Sequence, residues 1–179
     1  MKHLPAIAGV LMASLAFHAQ ASVKNYPCSG AQGSFHVNPD ATLGGFVAAT
    51  ATVDSSVTIG VEASVCERAT VIEGAKILER ARVAGLATVR GLSAISGRAT
   101  VAGESYLINL NGEELQVSGD AKIYGTAFLM GSVVVTDAAQ VFGRAKVLDF
   151  AQIRGTTRVC GNTVVFGHDV IENDETFCD

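Results

Sequence analysis

Tryptophan is absent from this chain of 179 residues, and aromatic residues make up only 6% of it. A core of this composition cannot be filled by large rings. With 19 glycines available for sharp corners, the composition instead predicts a core of small aliphatic side chains. It favours a thin β-solenoid over a β-sandwich.

Long apolar runs and basic runs are also lacking. Beyond residue 17 no stretch approaches the ~20 apolar residues of a membrane helix, so we expect no membrane span. The 13 Lys and Arg residues are outnumbered by 17 Asp and Glu residues, which argues against nucleic acid or anionic lipid as a partner. The chain has no C-x-x-C spacing and few histidines, so we expect neither a metal site nor a cofactor.

The N-terminal segment, Met1 to Ala21, has the layout of a secretory signal peptide. Lys2 supplies a short basic start, residues 4–17 form an apolar run too short to cross a bilayer, and Ala19-Gln20-Ala21 is a small-x-small cleavage site. A buried N-terminal helix is the alternative. We therefore expect export, with a mature chain that begins near Ser22 and is located in the periplasm or outside the cell.

A six-residue repeat organises the rest of the chain. A small residue is followed two positions later by an aliphatic one, as in Ala63-Ser-Val-Cys-Glu-Arg-Ala69, and this unit recurs over residues 51–107 and 121–165. Residues two apart point to the same side of a short strand, and a fixed short period predicts stacked coils. The corner position of each unit is usually glycine. At three corners its place is taken by Asn109, Asp137 and Asp149, and asparagine and aspartate also tolerate positive φ.

The units Ala121-Lys-Ile-Tyr-Gly-Thr-Ala127 and Ala139-Gln-Val-Phe-Gly-Arg-Ala145 resemble the hexapeptide-repeat superfamily, in particular its A-x-V-x-G proteins, often labelled transferases. The resemblance implies an all-β fold, a single-stranded left-handed parallel β-helix with three hexads in each triangular coil. About seven coils would occupy residues 41–170. We expect residues 22–40 to form an N-terminal capping segment and residues 171–179 an acidic C-terminal tail.

The repeat is interrupted once, between Leu107 and Ala121, where the spacing requires an insertion of about four residues near positions 109–114. Its Asn111-Gly112 pair is a signal for a tight hairpin turn. The simpler interpretation is a surface loop. The alternative is a protruding arm that contacts a partner or covers a neighbouring subunit's site, as loops do in enzymes of the superfamily.

Four cysteines in an exported protein suggest two disulfides, for which three pairings exist. Cys66 and Cys160 occupy equivalent corners about five coils apart, roughly 25 Å, which is beyond the reach of a disulfide. Cys178 follows Cys160 by one full coil, and Cys28 reaches Cys66 if the N-terminal segment folds back. We therefore predict Cys28–Cys66 and Cys160–Cys178, with a metal site as the alternative.

Candidates for catalysis are few. The resemblance implies a histidine general base beside a coenzyme or acyl-carrier site between subunits, and His36 and His168 are the histidines outside the predicted signal peptide. His168, with Asp169 and Glu172 nearby in sequence, is the only candidate base. A solvated corner is the simpler interpretation, so we assign no catalytic residue. The three-histidine zinc site of the superfamily's carbonic anhydrases has no counterpart here.

Residues spaced by one coil should stack into outward columns. One column carries Thr52, Thr70 and Thr88, followed by Tyr106, which suggests an ice- or mineral-binding array, although threonine is also common on exposed strands. A second column is largely apolar and suggests self-association, as a trimer by resemblance, unless its corners fold partly inward. Its members are Ile72, Arg90, Ile108, Met130, Leu148 and Phe166.

These observations favour an exported, non-enzymatic scaffold: a rigid, disulfide-capped rod that self-associates or binds an envelope protein or a polysaccharide. The first alternative is a transferase-like enzyme, acyltransferase in type, with His168 as base at a subunit interface. The second alternative is an ice- or surface-binding protein that uses the threonine column.

Overall fold

The computed structural model describes residues 28–110, 112–172 and 174–179. The predicted signal peptide, residues 1–21, lies outside this range. Within the described residues the chain is all-β, which confirms the predicted β-solenoid, and none of their segments is a helix long and apolar enough to span a membrane.

Three sheets form the three faces of the solenoid, because every third strand belongs to the same sheet. The first face contains β1 (Gly33–Val37), β2 (Leu43–Ala48), β5 (Ser64–Val65), β8 (Arg82–Val83), β11 (Thr100–Val101), β14 (Lys122–Ile123), β17 (Gln140–Val141), β20 (Arg158–Cys160) and β23 (Thr176–Cys178). The second face contains β3 (Thr52–Val53), β6 (Thr70–Ile72), β9 (Thr88–Gly91), β12 (Tyr106–Asn109), β15 (Phe128–Gly131), β18 (Lys146–Asp149) and β21 (Val164–Val165). The third face contains β4 (Thr58–Ile59), β7 (Lys76–Ile77), β10 (Ser93–Ile95), β13 (Leu115–Val117), β16 (Val134–Val135), β19 (Gln152–Ile153) and β22 (Val170–Ile171).

The register between coils follows the hexad repeat. Thr70 pairs with Thr88, one regular coil later, whereas Tyr106 pairs with Phe128 and not with Tyr124, which an uninterrupted repeat would place beside it. The extra residues lie between β12 and β13, which confirms the predicted insertion. β12 and β13 do not form a hairpin, because they belong to different faces and each pairs with strands of neighbouring coils; Asn111 of the turn signal lies outside the described residues.

The insertion lies against the solenoid. Ser132 Oγ donates to the carbonyl oxygen of Glu113 at 2.8 Å, and the Asn109 side-chain amide donates to the same oxygen. Glu114 forms an ion pair with Lys76 of the third face at 2.9 Å. Contacts to coils on both sides therefore hold residues 113–114 in place, as expected for a surface loop.

The interior is a column of aliphatic side chains. The largest members, such as Leu107, Ile123 and Leu129, are fully buried, and alanines such as Ala87 and Ala127 fill the narrow positions beside them. Burial of this kind is the main favourable term in folding, and each fully buried Leu or Ile contributes roughly 1.5–3 kcal/mol. Every coil buries its apolar side only against its neighbours.

The corners between faces require left-handed backbone. Gly103 has φ +72°, and a Cβ on it would lie 2.5 Å from the carbonyl oxygen of Gly125 in the next coil. Asp137 and Asp149 also have positive φ, as predicted, whereas Asn109 is the last residue of β12 and does not. Three further corners were not predicted, and they lie at Glu67, Glu73 and Glu79, with φ between 55° and 60°.

The two ends of the solenoid differ. At the N-terminal end β1 runs antiparallel to β2 and covers the first coil. At the C-terminal end β23, within the predicted tail, continues the winding and pairs in parallel with β20. Disulfides join Cys28 to Cys66 and Cys160 to Cys178, the pairing predicted from the repeat.

Candidate functional site

The apolar column of the second face is stacked as its spacing predicts. Successive strands pair Ile108 with Met130 and Met130 with Leu148. Met130 and Phe166 are exposed, at 43% and 60% of their surface, whereas the other aliphatic members are half-buried. The column therefore faces outward, with its branched members partly sheltered at the corner.

Arg90 interrupts this column. Its guanidinium donates a bidentate pair of hydrogen bonds, from Nε and Nη2, to the Glu73 carboxylate. Nη1 also donates to Tyr106 Oη at 3.3 Å. Hydrogen bonds to Glu73 and Tyr106 raise the pKa of Arg90 above its usual range. The cation is thus neutralised locally, and the continuous apolar part of the column begins at Ile108.

The threonine column lies beside the apolar column on the same face. Thr52 pairs with Thr70, and Thr70 with Thr88. Tyr106 and Phe128 occupy the next two positions of the column. The rings of Tyr106 and Phe128 are stacked, with centroids 5.8 Å apart and an interplanar angle of 7°. The column thus changes from threonine to aromatic after three coils and continues with the exposed Lys146 and Val164.

A shallow depression opens on this apolar part of the second face. It has a volume of about 250 Å³ and is lined by Ile108, Leu110 and Met130, together with Asn109 and Gly131. The depression lies where the insertion leaves the coil, so it is formed by the one irregularity in the repeat. Its lining is mostly apolar, which suits a hydrophobic side chain of a partner.

The two described histidines, His36 and His168, lie toward opposite ends of the solenoid. His168 is exposed and its ring stacks on Phe150, with centroids 4.9 Å apart. Among the described residues, no carboxylate is hydrogen-bonded to His168. His36 is in the N-terminal strand β1, where its Nε2 lies 2.9 Å from the carbonyl oxygen of Val57. The base and orienting carboxylate that acyl transfer requires are therefore not assembled around either ring.

Carboxylates at the corners act mainly on the backbone. Asp54 accepts hydrogen bonds from the Ser56 hydroxyl and from the amide of Glu73 in the next coil, and these lower the pKa of Asp54. Glu79 accepts from the amide of Gly97 at 2.8 Å. In the described part of the chain no three His, Cys, Asp or Glu side chains converge as a metal site would need.

The sequence analysis missed a cationic and aromatic group on the first face. Tyr124 and Phe142 stack with centroids 4.8 Å apart, and the Arg158 guanidinium carbon lies 5.2 Å from the centre of the Phe142 ring. The signal was available, because advancing by one coil of three hexads aligns Tyr124 with Phe142, and Lys122 with Gln140 and Arg158.

Comparison of the chain with protein-family models, with curated proteins and with solved structures finds no match in any of the three. What the geometry defines is a disulfide-closed parallel β-solenoid with two differently built outward faces.

Proposed function

We propose that this protein is an exported, non-enzymatic scaffold, a rigid solenoid that self-associates through the apolar column of its second face. The observation that carries this proposal is the outward position of Ile108, Met130, Leu148 and Phe166 on consecutive coils. Exposed apolar patches of this continuity mark interaction surfaces in soluble proteins. A flat, regular face can pack against other copies of the chain without rearrangement.

The disulfides support export. Two disulfides are typical of proteins that mature in an oxidising compartment, in the periplasm or outside the cell. We propose that residues 1–21 are the signal that directs the chain there and that the folded protein begins with a capping segment, residues 22–40. We also propose that the chain belongs to the hexapeptide-repeat superfamily and that its coils wind left-handed, on the strength of its A-x-V-x-G units.

The same resemblance suggests a trimer, and this can be measured directly. Light scattering of the oxidised mature protein at several concentrations should give three times the chain mass. Met130→Lys should weaken association at least tenfold, because full burial of such a side chain contributes about 1.5–3 kcal/mol and a buried unpaired charge opposes it.

The matched control is Val170→Lys, which places the same cation on an exposed apolar position of the third face. It should leave the assembly intact. A wild-type protein that stays monomeric at every concentration, or equal dissociation by both variants, would refute self-association through the second face. Replacing His168 by alanine should change neither the mass nor the fold, since its ring contacts only the exposed corner at Phe150.

A further inference from the structure

We propose that the first face carries a second binding site, for a linear acidic polysaccharide, formed by Lys122 and Arg158 with Gln140 between them. The proposal rests on the scaffold function above in that it supplies the scaffold's ligand, but it uses a different face of the solenoid. The polysaccharide would lie along the solenoid axis, across successive coils.

The cations of the site form a row with regular spacing. Lys122 pairs with Gln140, and Gln140 with Arg158, so the three side chains occupy consecutive rungs of the first face. Rungs of a sheet are about 4.8 Å apart, which places Lys122 and Arg158 roughly 9.6 Å apart along the axis. That separation is comparable to the length of two sugar rings in an extended chain. Both cations are exposed, so a polymer can reach them without a conformational change.

The aromatic pair beside this row holds it in position. Arg158 lies over the ring of Phe142, which stacks on Tyr124, and Tyr124 Oη donates to Gln140 Oε1 at 3.2 Å. A guanidinium held over a ring loses less freedom on binding and keeps its N–H groups available for a carboxylate. The hydrogen bond from Tyr124 likewise fixes the Gln140 amide, whose N–H₂ group can donate to a sugar hydroxyl.

The cations of the proposed site form no ion pair within the described part of the chain. Ion pairs neutralise the cations of the earlier coils at Lys76, Arg80, Arg82, Arg90 and Arg98. Among the described residues, no carboxylate forms an ion pair with any of the five cations that follow the insertion: Lys122, Arg144, Lys146, Arg154 and Arg158. The acid on the preceding corner, Asp120, forms an ion pair with Arg98 at 2.7 Å; its pKa is lowered mainly by the hydrogen bond to Arg98, with a smaller contribution from the charge of Lys122. Lys122 and Arg158 are therefore exposed cations without an ion pair among the described residues, on a chain of net charge −4.

The spacing of the charges favours a polysaccharide over a nucleic acid. Duplex DNA carries one negative charge per about 1.7 Å of its axis, so two cations roughly 9.6 Å apart would neutralise little of it. A uronic-acid polymer carries a single carboxylate on each ring and presents hydroxyl groups between them. Carboxylates pair with arginine through two parallel hydrogen bonds, and hydroxyls suit the neutral Gln140 and Thr100 on the same column.

Titration calorimetry with a short oligogalacturonate tests this site on the oxidised, assembled protein. A short oligomer spans one solenoid, so avidity between subunits does not contribute. We expect binding in low salt that weakens as salt is added, since the contacts are exposed. The double variant Lys122→Gln/Arg158→Gln should bind at least tenfold more weakly, and neutral dextran oligomers should not bind.

Arg154→Gln is the matched control, because Arg154 is an exposed cation on the third face whose guanidinium donates to Gln152. It should retain wild-type affinity. Lack of binding by the wild-type protein, an equal loss in Arg154→Gln, or stronger binding of an oligothymidylate would each overturn the proposal. Met130→Lys separates the two proposals: if it dissociates the assembly but still binds oligogalacturonate, the first face acts independently of self-association.

Discussion

Thr157 shows how strictly the interior of the solenoid selects its side chains. It occupies a small-residue position that is usually alanine and is fully buried, and its hydroxyl has no hydrogen-bond partner among the residues that the structure describes. Ser93 and Ser105 at equivalent positions avoid this, because each hydroxyl donates to the carbonyl oxygen three residues earlier. Thr163 also has a partner, the carbonyl oxygen of Phe177. A buried polar group without a partner costs about 1–3 kcal/mol.

Thr157→Val should therefore stabilise the protein by about 1 kcal/mol, since valine keeps the shape of threonine and removes the unpaired hydroxyl. Thr163→Val is the matched control and should destabilise, because it breaks the bond to Phe177. Urea unfolding followed by circular dichroism measures both. The explanation fails if Thr157→Val lowers the unfolding midpoint as much as Thr163→Val does.

The sequence predicted the inward side chains well and the corners only in part. Small and aliphatic residues two apart identify the buried positions, because nothing larger fits between stacked coils. Glycine and aspartate corners were recognised for the same steric reason. Glu67, Glu73 and Glu79 were missed, because glutamate has no intrinsic preference for positive φ. Their backbone is imposed by the stacking of the neighbouring coils.

At the level of elements, the corner between the first and second faces depends on close backbone contact. Gly103 lies in a stack of glycines, with its backbone against that of Gly125 and with Gly85 on its other side. Gly74 also has positive φ, but a Cβ on it would meet no atom within 4 Å. The two glycines thus share a backbone conformation and differ in steric surroundings.

Gly103→Ala should be strongly destabilising, because its Cβ would lie 2.5 Å from a backbone oxygen that cannot move without shifting the next coil. Gly74→Ala should cost only the conformational term, about 1–2 kcal/mol. Comparing the urea midpoints of the two variants separates steric contact from conformation. Similar midpoints in both would mean that the coils move apart to accept a methyl group.

The register of the strands was predictable, and the local turn chemistry was not. A repeat of six residues determines which strands pair, and this gave the alignment of Met130 with Leu148 and the position of the insertion. The Asn111-Gly112 signal for a hairpin failed because β12 and β13 each pair with strands of neighbouring coils. The antiparallel strand β1 could not be predicted from a repeat that begins after it.

At the level of the whole molecule, stability should vary from one end to the other. Coils contact only their neighbours, so the central ones are supported on both sides and the terminal ones on one. At the C-terminal end β23 pairs with β20 alone, and the Cys160–Cys178 bond joins these two strands covalently. The bond therefore replaces the support that a further coil would give.

Removing this bond with Cys160→Ser/Cys178→Ser should loosen the last coil and leave the centre intact. Amide hydrogen exchange should accelerate in β20 and β23, whereas β12 should keep the protection it has in the wild-type protein. The Cys28→Ser/Cys66→Ser variant serves as control and should accelerate exchange only near β1 and β2. Acceleration spread evenly over all coils would show instead that the solenoid unfolds as a single unit.

The position of the two disulfides has a mechanical consequence. Cys66 and Cys160 belong to one column of the first face, and each is bonded to a cysteine close to an end of the folded region. When a pulling force is applied at Cys28 and Cys178, the two disulfide bonds transmit it directly to Cys66 and Cys160. Residues 29–65 and 161–177 are therefore not under load. The load reaches the stack at Cys66 and Cys160, and the outermost coils cannot be peeled away one by one. Under tension the central coils would bear the load, while the disulfide-linked ends would stay folded.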